Sequence, residues 1–135
     1  MAEDHSVISP ADGTLIVDVD GTLCGIKDED ESYADLVPNQ AMIGKLREYH
    51  IKGYHILLFT SRNMRTHGGN LGLINKHTAP IMLEWLAKWN IPYDGILFGK
   101  PWPGRKGFYI DDQAVRPEEF LSMSEEEIHK LLKTR

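Results

Sequence analysis

Residues 14–23, TLIVDVDGTL, constrain this chain more than any other stretch. An apolar run ends in two carboxylates, Asp18 and Asp20, and Gly21 follows at once. A short apolar run bounded by a turn signal reads as a buried strand. Asp18 then stands at the strand's carboxyl end, where open α/β sheets hold their ligands. Two acidic side chains this close repel, and burial penalises their charged forms. They persist together if a cation neutralises them or if one shares a proton. Both conditions suit a carboxylate nucleophile with an acid/base partner on a bound metal.

The rest of the chain alternates between strand and helix patterns, which predicts an α/β fold with a parallel sheet and crossover helices. Residues 21–38 carry turn formers and charges and read as a loop or short hairpin over the site. Asn39 is the expected N-cap of a helix running to about Lys52. Met42, Ile43, Leu46 and Tyr49 or His50 form its apolar face, and Gly53 ends it. Residues 54–60 form the expected second strand. Residues 61–77, with Gly68 and Gly69, read as a long loop, a length more often functional or mobile than inert. Pro80 suits the first turn of a helix after Thr78 or Ala79. Met82, Trp85, Leu86 and Trp89 recur at helical spacing and are expected in the core. Residues 95–98 and 107–110 read as short strands. Ser124 and Glu127 make a capping box for a last helix, over about 124–133, with Ile128, Leu131 and Leu132.

A length of 135 residues suits one domain with a single core. The expected domain is 1–135, with a motif-bearing core at about 12–121. The net charge of −5 argues against general nucleic-acid binding. No apolar stretch approaches the roughly 20 residues that span a bilayer. The N-terminal MAEDHSVISPADG lacks the basic and apolar regions of a secretory signal. Cys24 is the sole cysteine, so no internal disulfide can form, and the expected compartment is the cytoplasm. Arg62, Arg65 and Lys100 follow the proposed strands, where a phosphorylated substrate would sit. Arg105 and Lys106 read as solvated charges.

The D-x-D-G-T pattern at 18–22 resembles the first motif of the haloacid dehalogenase (HAD) superfamily of aspartate-nucleophile phosphohydrolases. Three further matches follow in order: Leu57-Leu-Phe-Thr-Ser61, Lys100-Pro101 and Phe108-Tyr-Ile-Asp-Asp112. With their flanking stretches the motifs span residues 14–117. The stretches FTSRNMRTHGGNLGLINKHT and GKPWPGRKGFYIDDQAVRP are similar to a narrower group of small phosphatases associated with capsular-polysaccharide synthesis. The resemblance implies a Rossmann-like, three-layer fold with helices on both faces of the sheet. It also implies a magnesium-dependent phosphatase that passes through an aspartyl-phosphate. The implied substrate is a small phosphorylated metabolite, a sugar or polyol phosphate. Thirty-nine residues (21–59) separate Asp20 from Thr60, and another thirty-nine (61–99) separate Thr60 from Lys100. One loop and one crossover fill each interval, so no cap domain fits. A capless member obtains enclosure from its loops or from a second copy, or accepts larger substrates, so a homo-oligomer is one expected outcome.

The resemblance implies roles residue by residue. Asp18 is the nucleophile, and Asp20 is the acid/base whose backbone carbonyl faces the metal. Thr60 or Ser61 grips the phosphoryl group, and Lys100 neutralises charge. Asp112 is the favoured direct ligand of magnesium, with Asp111 orienting a bound water or Lys100. Arg62, Asn63, Arg65 and Asn70 are candidates for reading substrate, because guanidinium groups grip anions and amides read hydroxyls. An ordinary polar loop is the competing reading for these four. Trp102 reads as packing rather than a stacking platform. His67 and His77 have no evident partner. Cys24 reads as a small loop residue. The rival functions are a regulatory module phosphorylated on aspartate, a non-catalytic subunit, and a carbon–halogen hydrolase. Asp20 and Asp112 argue against the last.

Overall fold

The computed structural model describes residues 12–134. The N-terminal tract through Ala11, on which the targeting argument rests, lies outside them. The chain divides into two compact units between Trp102 and Pro103. Among the described residues, no helix is long and apolar enough to cross a membrane.

The first unit is an α/β unit built on a three-stranded sheet, β1 (Thr14–Val17), β2 (His55–Thr60) and β3 (Gly95–Phe98). The order is β1-β2-β3, and both pairings are parallel. Parallel neighbours require crossovers. The first is α1 (Gln40–Ile51), and the second comprises α2 (Leu71–His77) and α3 (Ala79–Lys88). Register pairs Val17 with Leu58 and Thr60 with Phe98. The three strands therefore end along one edge, and Asp18, Ser61 and Gly99 emerge from it together.

α1 forms as its sequence dictates. The Asn39 side chain accepts from the Met42 N–H at 3.1 Å, satisfying one donor that a helix start leaves open. Met42, Ile43, Leu46 and Tyr49 are buried, and Gly53 leaves the helix at φ 104°. β2 buries Ile56, Leu58 and Thr60 on alternate positions. Asp94, just before β3, accepts from the Ile56 N–H at 2.8 Å and pairs with His50 at 3.1 Å. These contacts fasten the opposite edge of the sheet to the end of α1.

The segment 61–77 is shorter as a loop than its polarity suggested, because its second half is α2. Asn70 caps this helix by accepting from the Leu73 N–H at 3.1 Å, and Ile74 is fully buried. α3 carries Pro80 in its first turn and buries Met82, Trp85 and Leu86, as expected. Trp89, expected in the core, is only half-buried. Residues 21–38 form turns, a single 3-10 turn at Tyr33–Asp35, and isolated bridges at Asp20–Cys24 and Cys24–Pro38. Trp85 Nε1 donates to the Leu36 carbonyl at 2.7 Å and ties this segment to α3.

The second unit holds α4 (Pro117–Ser122) and α5 (Glu125–Thr134). The capping box of α5 is present: the Ser124 N–H donates to Glu127 at 2.8 Å, and the Glu127 N–H donates to Ser124 at 3.1 Å. α4 was not expected, although Pro117 followed by Glu118 and Glu119 is a helix-start pattern. The strand expected at 107–110 is not formed, and Phe108, Tyr109 and Ile110 are exposed. Only residues 99–106 connect β3 to this run, whereas a parallel neighbour needs a crossover of about a dozen residues or more. An apolar run alone does not supply the partner that a strand's backbone requires.

Candidate active site

The sheet's carboxyl edge gathers two carboxylates and two cations, all in the first unit. Asp18 leaves β1 with its side chain 33% exposed, and Lys100 Nζ lies 3.5 Å from its Oδ1. Burial pushes the Asp18 carboxyl above the usual range, and Lys100 pulls against that rise. The Lys100 N–H donates to the Thr60 carbonyl at 3.0 Å, so the end of β2 fixes where this lysine starts. Gly99 makes that approach sterically feasible. It adopts φ +91°, and a Cβ there would lie 2.7 Å from Leu71 Cδ2.

Asp20 is held separately. Arg62 donates from Nε to Oδ2 at 3.1 Å and from Nη2 to Oδ1 at 2.8 Å, a bidentate pair. The Arg62 side chain is 1% exposed and that of Asp20 24%. The guanidinium lies 4.1 Å from the Tyr33 ring centroid. The Cys24 thiol points at Asp20 Oδ1 from 3.7 Å. Burial, then the charge of Asp20, pushes that thiol up to about 12, so it stays protonated. This agrees with the reading of Cys24 as no nucleophile.

The four substrate-reading candidates do not act as a group. Arg62 is committed to Asp20. Asn63, at φ 61°, accepts from the Thr78 hydroxyl at 2.7 Å and anchors the loop to the start of α3. The Asn70 side chain is the cap of α2. Arg65 is exposed and lies 5.5 Å from the Trp102 ring centroid. Trp102 is itself 44% exposed, so it lies at the surface rather than in the packing its sequence context suggested. The His67 and His77 rings stack at 5.8 Å, a pairing the sequence did not reveal.

Thr60 is fully buried, and its Oγ1 accepts from the Arg62 N–H at 3.0 Å. Ser61 is half-buried. Tyr33 and the pairing of Arg62 with Asp20 escaped the sequence reading. The only signal was an aromatic residue within an acidic segment. In the second unit, Asp111 and Asp112 are exposed, and Asp111 Oδ1 accepts from the Gln113 N–H at 2.8 Å. Among the described residues, no three acidic, histidine or cysteine side chains already form a metal cage.

Fold and site define an α/β protein with paired aspartates at the carboxyl edge of a parallel sheet, each matched to its own cation. The chain is similar to a structural-genomics target protein from Vibrio cholerae, known from a crystal structure. The two are 55% identical, with a TM-score of 0.86, over 90% of this chain and 98% of that one. The chain belongs to the same family as that Vibrio cholerae protein. No protein-family model and no curated protein matches it.

Proposed function

We propose that the protein is a magnesium-dependent phosphomonoesterase of the HAD type, acting through an aspartyl-phosphate on a small phosphorylated metabolite. The observation that carries this reading is the Asp18–Lys100 pair at the sheet edge, two residues from the separately held Asp20. The resemblance of the motifs supplies the family, including the three-layer arrangement with helices on both faces. It also points to a sugar or polyol phosphate of surface-polysaccharide synthesis.

An Asp18 oxygen attacks phosphorus as the bond to the leaving oxygen breaks. The electron pair of that bond goes to the leaving oxygen, which takes a proton from Asp20. Water then attacks phosphorus of the aspartyl-phosphate and gives a proton to Asp20. Inorganic phosphate leaves, and the Asp18 carboxylate is restored. Lys100 balances charge on Asp18 and on the phosphoryl group throughout. The Thr60 or Ser61 hydroxyl holds a phosphoryl oxygen.

The donor set fits a hard cation: Asp18, raised by burial, gains from a positive neighbour. Magnesium would be held by Asp18, the Asp20 carbonyl and, by the motif pattern, Asp112. When bound it supplies further charge neutralisation. A regulatory module phosphorylated on aspartate is the rival, and the acid/base residue Asp20 favours turnover over a lasting modification.

The test is a screen of phosphate esters with magnesium, with Asp18→Asn protein as the blank. Phosphate release that Asp18→Asn abolishes, by several orders of magnitude, is the expected result. Undiminished release by that variant removes the covalent aspartate.

A further inference from the structure

We infer that Arg62 is a positioning residue: with Tyr33 and Cys24 it fixes the orientation of the Asp20 carboxylate. This inference rests on the phosphatase reading for its kinetic consequences, but not for its geometry.

Asp20 lies beyond the end of β1, immediately before the turn at Gly21, and among the described residues only an isolated bridge to Cys24 holds its backbone. It stands two residues from Asp18, whose own cation, Lys100, lies at the same sheet edge. An unheld Asp20 would be drawn to that lysine. Arg62 prevents this by taking both Asp20 oxygens on one planar fork, which sets the plane of the carboxylate as well as its place. A lysine would hold one oxygen and leave the plane free.

Arg62 is itself held at both its backbone and its guanidinium. Its N–H donates to the buried Thr60 hydroxyl. Its guanidinium lies over the Tyr33 ring. Tyr33 sits on the 3-10 turn that packs against α3, where Trp85 fastens Leu36. Nη1 is buried with no hydrogen-bond partner among the described residues. Buried donors left unmade are rare and destabilising, and they persist where another demand outweighs them. Here the demand is the bidentate hold on Asp20. The near-complete burial of the guanidinium also separates Arg62 from a surface group that greets substrate.

Arg62→Lys keeps the charge and loses the fork. On the best phosphate ester found for the wild type, kcat should fall about ten- to a hundredfold with KM little changed. In an Asp20→Asn background the same substitution should cause no further loss. Thermal melting of each variant separates these effects from misfolding. A rise in KM with kcat intact would make Arg62 a substrate grip and overturn the inference. Multiplicative losses in the double variant would also overturn it, because Arg62 would then act independently of Asp20.

A crystal structure of the Arg62→Lys protein tests the geometry without turnover. The Asp20 carboxylate should rotate or move toward Lys100, and an unmoved carboxylate would refute the positioning role. If no ester yields Asp18-dependent phosphate, the phosphatase reading fails, and this structural result alone decides the inference.

Discussion

Asp18 and Asp20 are two residues apart yet meet different surroundings. Asp18 is raised by burial and faces a partly exposed lysine, whereas Asp20 is gripped by a buried arginine. The raised Asp18 works against folding. Below the ordinary value of 3.8 the carboxyl is protonated both folded and unfolded and contributes nothing. As pH rises above 3.8 the unfolded chain releases this proton first, so stability falls until the folded group has ionised as well. Asp18→Asn removes that penalty. In chelator at neutral pH the variant should melt no lower than wild type, even though its turnover is lost. A clearly lower melting temperature would mean that the Asp18 carboxylate stabilises the fold. Both aspartates and Lys100 were legible in the sequence because short backbone runs fix where they start. The Arg62–Asp20 pair was not, because it joins residues 42 positions apart through a long side chain. Sequence spacing carries no information about where such a side chain ends.

At the scale of elements, local signals were read best. Asn39, Gly53, Pro80 and the Ser124–Glu127 box all do what their chemistry requires, because caps and turns depend on neighbours in sequence. The missed helix α2 follows the same rule. Asn70 opens it, but the glycines just before it and the polar residues around it obscured a single turn of apolar spacing. Asn70 is therefore a structural cap, and Asn70→Ala should lower unfolding free energy by about 0.5–2 kcal/mol in denaturant melts. Its KM should be unchanged, and a selective loss on one substrate would restore Asn70 to recognition. On the proposed function, recognition would fall instead to Arg65 and Trp102, an exposed pair whose guanidinium and ring lie 5.5 Å apart. Arg65→Ala should hurt the preferred substrate by about 1.5–3 kcal/mol, roughly ten- to a hundredfold in kcat/KM, and a generic aryl phosphate far less. Trp102→Ala should do the same, and the double variant should lose less than the sum, because the guanidinium and the indole ring act as one surface. Equal losses on both substrates would assign the pair to phosphate binding or folding.

The whole molecule sets the limits of what the sequence conveyed. A parallel α/β sheet followed from alternating patterns, yet the apolar run at 107–110 did not become its fourth strand. Pairing is a property of two segments, and only one of them was visible. The same distinction governs the metal. Asp18 and Asp20 belong to the first unit and Asp111 and Asp112 to the second, so motif order rather than spacing assigns the last two. Their chemistry differs in one respect: Asp111 Oδ1 already accepts from the Gln113 N–H at 2.8 Å. An oxygen so engaged has less lone-pair capacity to offer a cation, and its carboxylate is tied to its own turn. Chelation should suppress phosphate release and magnesium should restore it, with zinc a poor substitute at hard oxygen ligands. In titrations of activity against magnesium, Asp112→Ala should raise the half-saturating concentration more than Asp111→Ala. Asp111→Ala should act chiefly on the turn, with a lower melting temperature and near-normal metal dependence. The reverse order would make Asp111 the ligand and would show that the turn around Gln113 rearranges when the cation binds.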